Sequence, residues 1–305
     1  MRVLVAVNDR AGGIDAGLYE FVRIIGAKAS EVVLRFSAGR GLDELVQDAS
    51  EFDRVVAAGG DGTVSGIAYA TRESGVPVLA YPAGTANLLG SNLGMPTEPP
   101  ALARILLEGQ AVGFDLGELE QQAPDGSRAR TGFAVMAGAG YDASIMRRAE
   151  PLKSAIGAAA YLVAAISDLT PRVSQFELVL DGRRVAADGI AVLLANFARI
   201  QFDLPVTPGT DPRDGKFEVA VIRTKNIVGL LPAVAAAMLD RIGDYPERSP
   251  SLDIYTASEV EVVADPPLRV QIDGDVLETP TPFTARVLPR AASLLVPRES
   301  EYARP

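Results

Sequence analysis

Three strand-like runs in the first third of the chain each end on a polar, glycine-bearing loop, and this pattern restricts the fold more than any other feature. Residues 3–7 close on Asn8-Asp9-Arg10-Ala11-Gly12-Gly13, residues 54–58 on Gly59-Gly60-Asp61-Gly62-Thr63, and residues 76–80 on Pro82-Ala83-Gly84-Thr85-Ala86-Asn87. A fourth strand-like run, 31–36, lies between the first two, and helical spacing over 17–25, 42–49 and 64–73 fills the gaps. Such alternation predicts a three-layer α/β domain over residues 1–112, a parallel sheet covered on both faces by helices. Loops that follow parallel strands gather on the carboxyl edge of the sheet, where open α/β sheets bind ligands.

After about residue 112 the character changes. Short strand-like segments at 130–136, 176–180, 190–195, 217–222, 260–263, 268–272, 284–288 and 293–296 are punctuated by Asp181-Gly182, Asp214-Gly215 and Asp273-Gly274. They predict an antiparallel β-sandwich over residues 113–289, with 290–305 returning to the first domain. Helical stretches are expected at 153–169 and 227–241, and 121–130 reads as an exposed hairpin connection.

Composition removes whole classes of chemistry. The 305-residue chain has no cysteine and no histidine, so disulfides, thiolate nucleophiles, zinc sites of the usual kind and histidine-based triads are excluded. Acid–base work falls to carboxylates, lysine or tyrosine. A net charge of −10 argues against a nucleic-acid partner, which requires Lys and Arg against phosphates. The apolar start is too short for a secretory signal and the run at 155–166 too short to span a bilayer, so no transmembrane segment and a cytoplasmic location are expected.

The second loop has the chemistry of a phosphate site. Its three glycines let the backbone turn sharply, and their N–H groups together with the start of the next helix form an anion pocket. Asp61 would repel a phosphate unless a cation lies between, which Mg²⁺ does when it bridges a carboxylate and phosphate oxygens. Thr63 is placed to cap the helix or donate to a phosphate. An ordinary Gly-Asp-Gly turn would explain the same residues without a ligand, but three such loops on one edge favour a site. No Walker A loop occurs. Gly138-Ala139-Gly140-Tyr141-Asp142-Ala143 matches a loose dinucleotide pattern outside any βαβ unit, and close packing accounts for its glycines.

With histidine absent, an acid is the natural base wherever a hydroxyl must lose its proton. Asp273 and Asp275 flank Gly274; a plain Asp-Gly hairpin turn is the alternative, for which Asp181-Gly182 and Asp214-Gly215 are ready comparisons.

Gly59-Gly60-Asp61-Gly62-Thr63 followed by Pro82-x-Gly84-Thr85-x-Asn87 resembles the diacylglycerol kinase catalytic-domain family, which includes bacterial lipid kinases and sphingosine kinases. The similarity continues through Phe114-Asp115-Leu116-Gly117, Gly138-x-Gly140-Tyr141-Asp142-Ala143, Pro208 with Asp214-Gly215, and Asp273-Gly274-Asp275. The resemblance implies an ATP- and Mg²⁺-dependent lipid kinase acting on a lipid alcohol, diacylglycerol first among them, with the active site between its two domains. It implies nucleotide contacts at Asn8, Gly59, Gly60, Asp61, Gly62, Thr63, Gly84, Thr85 and Asn87. It assigns the catalytic role to Asp273, with Asp275 beside it or on metal. Metal contacts fall to Asp61 and to Asp214, the latter with main-chain carbonyls near Asp211 and Lys216. It further implies a transient visit to a membrane surface, for which Arg147-Arg148 and the 153–169 helix are one candidate contact, and it leaves a homodimer open. Departures from the family pattern are Asp9 where proline is common, Leu88 after Asn87, and Asp275 where glutamate is common. A soluble-substrate kinase related to NAD kinases and a non-catalytic nucleotide-binding regulator stand as the alternatives.

Overall fold

The computed structural model describes residues 1–9, 16–84, 86–123, 125–140, 173–197, 199–200, 204–205, 210–223 and 252–303. The expected helices at 153–169 and 227–241, and Arg147-Arg148, lie outside them.

The first part runs β1 (Arg2–Val7), α1 (Ala16–Gly26), β2 (Glu31–Phe36), α2 (Leu42–Leu45), β3 (Arg54–Gly59), α3 (Asp61–Ala70), β4 (Val78–Pro82), α4 (Leu88–Leu93) and α5 (Pro99–Glu108). The four strands pair in the order β2-β1-β3-β4, all parallel. β1 and β3 are apolar without interruption because both faces are covered. Leu4, Ala6, Val55 and Ala57 meet α3 through Val64 and Ile67, whereas Val3, Val5, Val7 and Val56 meet α1 and α5 through Phe21, Ile25 and Leu102. The sheet order reverses between β1 and β3, so a crevice opens there at the carboxyl edge.

The second part runs β5 (Gln110–Gln122), β6 (Arg128–Phe133), β7 (Met136–Ala139), β8 (Ser174–Leu180), β9 (Arg183–Gly189), β10 (Ala191–Ala195), β11 (Arg199–Ile200), β12 (Leu204–Pro205), β13 (Phe217–Ile222), β14 (Leu252–Ala257), β15 (Glu259–Asp265), β16 (Val270–Ile272), β17 (Asp275–Val276) and β18 (Phe283–Val296). β14-β13-β10-β7-β16-β17 form an antiparallel sheet. It faces β5, β6, β8, β15 and β18 across a core that includes Phe133, Phe176, Val192, Leu194, Phe217 and Val262. The parallel domain and the β-sandwich expected from sequence are both present.

Several boundaries differ from expectation. The segments 284–288 and 293–296 are one strand, β18, which pairs with β15 at its start and reaches β4 at Leu294↔Val78. Pro289 breaks the sequence pattern because it lacks a donor, and the structure absorbs it in a bulge between Leu288 and Ala292. The segment 130–136 is two strands in two sheets, β6 and β7, with a corner at Ala134-Val135. The 121–130 connection is mostly strand, since β5 and β6 pair out to Gln122↔Arg128. The helix at 42–49 stops at Leu45 because Arg35 draws the chain back: its guanidinium donates to the Leu45 carbonyl (2.9 Å) and pairs with Asp48. The helix expected from 64 begins at Asp61, so the polar turn is itself the first turn of α3.

Two glycines in the β5–β6 ladder let large rings approach. A Cβ at Gly117 would lie 2.0 Å from the Phe133 ring opposite it, and one at Gly132 would lie 2.1 Å from the Tyr69 ring of α3. The Tyr69 hydroxyl is bonded to Glu118, so the ring cannot retreat without losing that partner. Gly132→Ala is therefore expected to destabilise the protein by about 1–3 kcal/mol through overpacking, read as a lower midpoint in urea unfolding.

Candidate active site

The loops after β3 and β4 meet at the carboxyl edge through backbone, and the loop after β1 joins them through the Asn8 side chain. A Cβ on Gly84 would lie 2.4 Å from Cα of Gly60, so nothing larger fits at 84, whereas a Cβ on Gly60 would meet Gly84 at an ordinary 3.5 Å. Gly59 is equally constrained, since a Cβ there would lie 2.5 Å from Thr63. Gly60 stands at the N-cap of α3 without a side-chain cap, which turns the amino end of that helix toward the edge.

Asn8 at the end of β1 donates from Nδ2 to the Thr63 hydroxyl (2.8 Å), joining the first loop to α3. Thr63 is thus the third helical residue, buried, and does not cap the helix. Asn87 lies in the left-handed region (φ 48°) and closes its own loop: Nδ2 donates to the Gly84 carbonyl (2.7 Å) and Oδ1 accepts from the Gly84 N–H (2.9 Å). Thr85, Gly13, Pro208 and the Tyr141-Asp142-Ala143 part of the loose dinucleotide pattern lie outside the described residues. The other part is packing: a Cβ at Gly138 or Gly140 would meet the Val192 or Ile190 carbonyl at 2.5 or 2.2 Å.

Asp61 is buried, and its Oδ1 accepts the Leu89 N–H (2.8 Å) at the start of α4. Burial raises its carboxyl above the ordinary range; the Leu89 and Leu88 amides oppose that, and the like charge of Asp275 adds to it. Asp275 opens β17 and is exposed. A Cβ on Gly62 would lie 2.5 Å from Asp275 Oδ2, so this carboxylate rests directly on the first turn of α3. The structure therefore brings Asn8, Gly59, Gly60, Asp61, Gly62, Thr63, Gly84, Asn87 and Asp275 to one edge.

Asp273 is placed otherwise. It and Gly274 are the two central residues of the β16–β17 hairpin, with φ of 45° and 90°, as in a type I′ turn. Its carboxylate is buried and accepts three consecutive amides, Ala134 (2.8 Å), Val135 (2.9 Å) and Met136 (2.8 Å). Burial pushes its carboxyl up to about 6, against the Ser65 hydroxyl and the three amides, which favour the charged form. Asp181 occupies the same kind of turn (φ 48°) and accepts the Ser258 (3.0 Å) and Glu259 (2.9 Å) amides, but at an exposed edge.

Asp214 is remote from the phosphate-type edge residues in sequence and lies in an exposed turn, its Oδ1 accepting the Lys216 N–H (2.9 Å) while the Asp211 carbonyl accepts its own N–H (3.2 Å). Its charge is felt by Asp115, whose carboxyl is raised chiefly by burial, and by Glu218, raised for the same reason. Glu218 Oε2 is buried without a hydrogen-bond partner. Asp115 accepts the Arg290 (2.7 Å) and Gly215 (2.7 Å) amides.

Sequence reasoning noted Asp9 only as a departure from the family pattern and passed over Ser65. Asp9, present where the family favours proline, bonds the Ser37 hydroxyl and accepts the Ala38 N–H (3.2 Å), tying the loop after β2 to the loop after β1. Ser65 follows Gly62 by three residues, a spacing that places both on one face of α3 and was available as a signal.

The donor set suits a hard cation. Asp61 and Asp275 bring two carboxylates near the same helix turn, and among the described residues no three acidic side chains surround a common point. A Mg²⁺ ion here would rest on few protein oxygens and complete its shell with substrate oxygens and water, as Mg²⁺ does in kinase sites.

The titration of Asp273 has a defined sign. Between an unfolded value of about 3.9 and a folded value of about 6, the native state binds the proton more tightly, so this group's contribution to stability grows as pH falls through that window. Asp273→Asn removes this gain. Thermal unfolding from pH 7 to pH 4 is expected to show the wild type gaining on the variant as pH falls; a constant difference would mean that burial does not dominate at this group.

The chain matches two family models, the diacylglycerol kinase catalytic domain over residues 2–119 and the YegS C-terminal NAD kinase beta sandwich-like domain over residues 135–296. It is 28% identical over 256 residues to a protein of Mycobacterium tuberculosis named diacylglycerol kinase, covering 81% of this chain and 77% of that one. It is 30% identical over 278 residues to a Pseudomonas fluorescens protein named "Probable lipid kinase YegS-like", covering 88% and 86%. It spans 55% of the length of an uncharacterized Synechocystis protein to which it is 25% identical. In fold it is similar to the crystal structure of a diacylglycerol kinase from Bacillus anthracis str. Sterne, with a TM-score of 0.70, 18% identity and 97% of each chain covered. Among the described residues no helix is long and apolar enough to cross a membrane. With the catalytic-domain model over its parallel sheet and the YegS model over its sandwich, the chain belongs to the diacylglycerol kinase catalytic-domain family and is a kinase.

Proposed function

We propose that this kinase transfers the γ-phosphoryl group of ATP to the hydroxyl of a lipid alcohol, diacylglycerol first among candidates, and that Asp275 rather than Asp273 receives the acceptor's proton. The observation that carries this reading is the contact of the Asp275 carboxylate with Gly62 in the first turn of α3. A base must stand within reach of the nucleophile and of the phosphate that it attacks. Asp275 is exposed at that edge, whereas Asp273 is buried and both its oxygens are engaged by backbone amides.

The phosphates would lie on the amino end of α3, where the glycines at 59, 60, 62 and 84 let backbone approach them and the helix end favours their charge. Asp61 would hold Mg²⁺, which in such a site neutralises charge on the transferring group. Asn8 and Thr63 keep the crevice between β1 and β3 in register with that turn. As the acceptor oxygen bonds to phosphorus, its proton passes to Asp275 and the bond from the γ-phosphorus to the bridging oxygen breaks, releasing ADP. The acceptor is read as entering from a membrane surface on the cytoplasmic side, visited transiently, because a diacyl lipid resides there. Asp214 is read as a separate structural cation point, supported by the nearby Asp115 and the unpartnered Glu218 oxygen.

Labelled ATP offered with extracted lipids, with NAD, and with protein alone tests the activity. Label in lipid supports this reading, label in NAD supports the soluble-substrate alternative, and binding without transfer supports a regulator. Asp275→Asn is expected to lower kcat by roughly 10²–10⁴-fold while leaving ATP affinity near wild type. Asp214→Ala is expected to shift the Mg²⁺ concentration needed for full activity, and an unchanged Mg²⁺ titration removes that point.

A further inference from the structure

Asp273 is a buried acid that the proposed mechanism leaves unused, two residues before the acid that it uses. A carboxylate that already accepts three amides, and whose residue is 8% exposed, keeps only about one of its four lone-pair sites, with the Ser65 hydroxyl beside it. The Asp273 amide in turn donates to the Met136 carbonyl (2.9 Å), so the turn and the corner between β6 and β7 hold each other at four points.

Asp181 shows the same device without an active site. It fastens a two-residue Asp-Gly turn to the amides of a neighbouring strand, and the residue after its glycine is Arg183, at an exposed edge. At Asp273 the residue after the glycine is Asp275. The turn also straddles one face of α3. Gly62 meets Asp275, and the Ser65 hydroxyl lies beside Asp273, favouring its charged form without closing a hydrogen bond of normal geometry.

We propose that Asp273 is a positioning residue: by holding the amides of residues 134–136 it fixes the distance between Asp275 and the phosphate-binding turn of α3. This rests on the reading of Asp275 as the base. The corner it grips is where the chain passes from one sheet to the other, so the carboxylate references Asp275 to both sheets at once. An amide in place of the carboxylate keeps one acceptor and turns an NH₂ toward backbone N–H groups, which loosens the turn without emptying the site.

The test is a double-mutant cycle on kcat and ATP affinity, with Asp273→Asn, Asp275→Asn and both together. Asp273→Asn is expected to lose roughly 10²-fold in kcat, the scale of an ångström-level misplacement, with ATP affinity near wild type. The double variant is expected to match Asp275→Asn alone to within about threefold, because Asp273 acts only through Asp275. A further loss of roughly 10²-fold in the double variant would show an independent contribution and overturn the proposal. Near-full kcat in Asp273→Asn beside an inactive Asp275→Asn overturns the positioning role alone. Near-full kcat in Asp275→Asn removes the base and the positioning role together. Should Asp273→Asn fail to fold, Gly274→Ala decides: it strains the exposed turn at φ 90° while leaving the buried carboxylate in place. Loss of kcat that disappears in the Asp275→Asn background supports the proposal, and full kcat overturns it.

Discussion

A carboxylate withdrawn from water has to find donors, and the arrangement of this protein depends on three that find them in backbone amides from distant segments. Asp61 holds the start of α4, Asp115 holds the loop at Gly215 and the bulge at Arg290, and Asp273 holds the corner between the two sheets. Each connection reaches across 28 to 175 positions of sequence. The loops around the site are therefore fixed by buried charge rather than by apolar packing, which could not have held polar backbone so close to an open edge. Asp61 has the further consequence of standing between structure and chemistry: one oxygen is committed to an amide, and its carboxyl is already raised by burial and by Asp275.

Much of this was legible in the sequence, because parallel strands buried on both faces and glycine loops at their ends leave strong local marks. The apolar runs of β1 and β3 and the Gly59–Thr63 turn needed no tertiary information. What escaped was decided by contacts between remote residues. Pro289 hid the continuity of β18, since a missing donor looks like a strand end until the bulge accommodates it. The early end of α2 follows from Arg35 reaching the Leu45 carbonyl from β2, which no helical periodicity reports.

Asp273 and Asp275 carry the sharpest lesson. They are identical in chemistry and flank one glycine, so composition and spacing cannot separate them. A type I′ turn does, because it turns one acid inward to the corner at 134–136 and leaves the other on the face toward Gly62. Ser65 gained meaning only afterward, once the turn was seen to straddle α3.

The path of β18 has a consequence for how the protein comes to be. Its residue Leu294 lies against Val78, so the parallel sheet built from the first 82 residues keeps an open edge at β4 until residue 294 has been made. β18 also pairs with β5 along ten residue pairs, so β5 has only β6 beside it until then. As synthesis proceeds from the amino end, the parallel sheet and the sandwich layer that share β18 both remain incomplete until it arrives, and long-range closure of this kind is slow and exposed to wrong pairing.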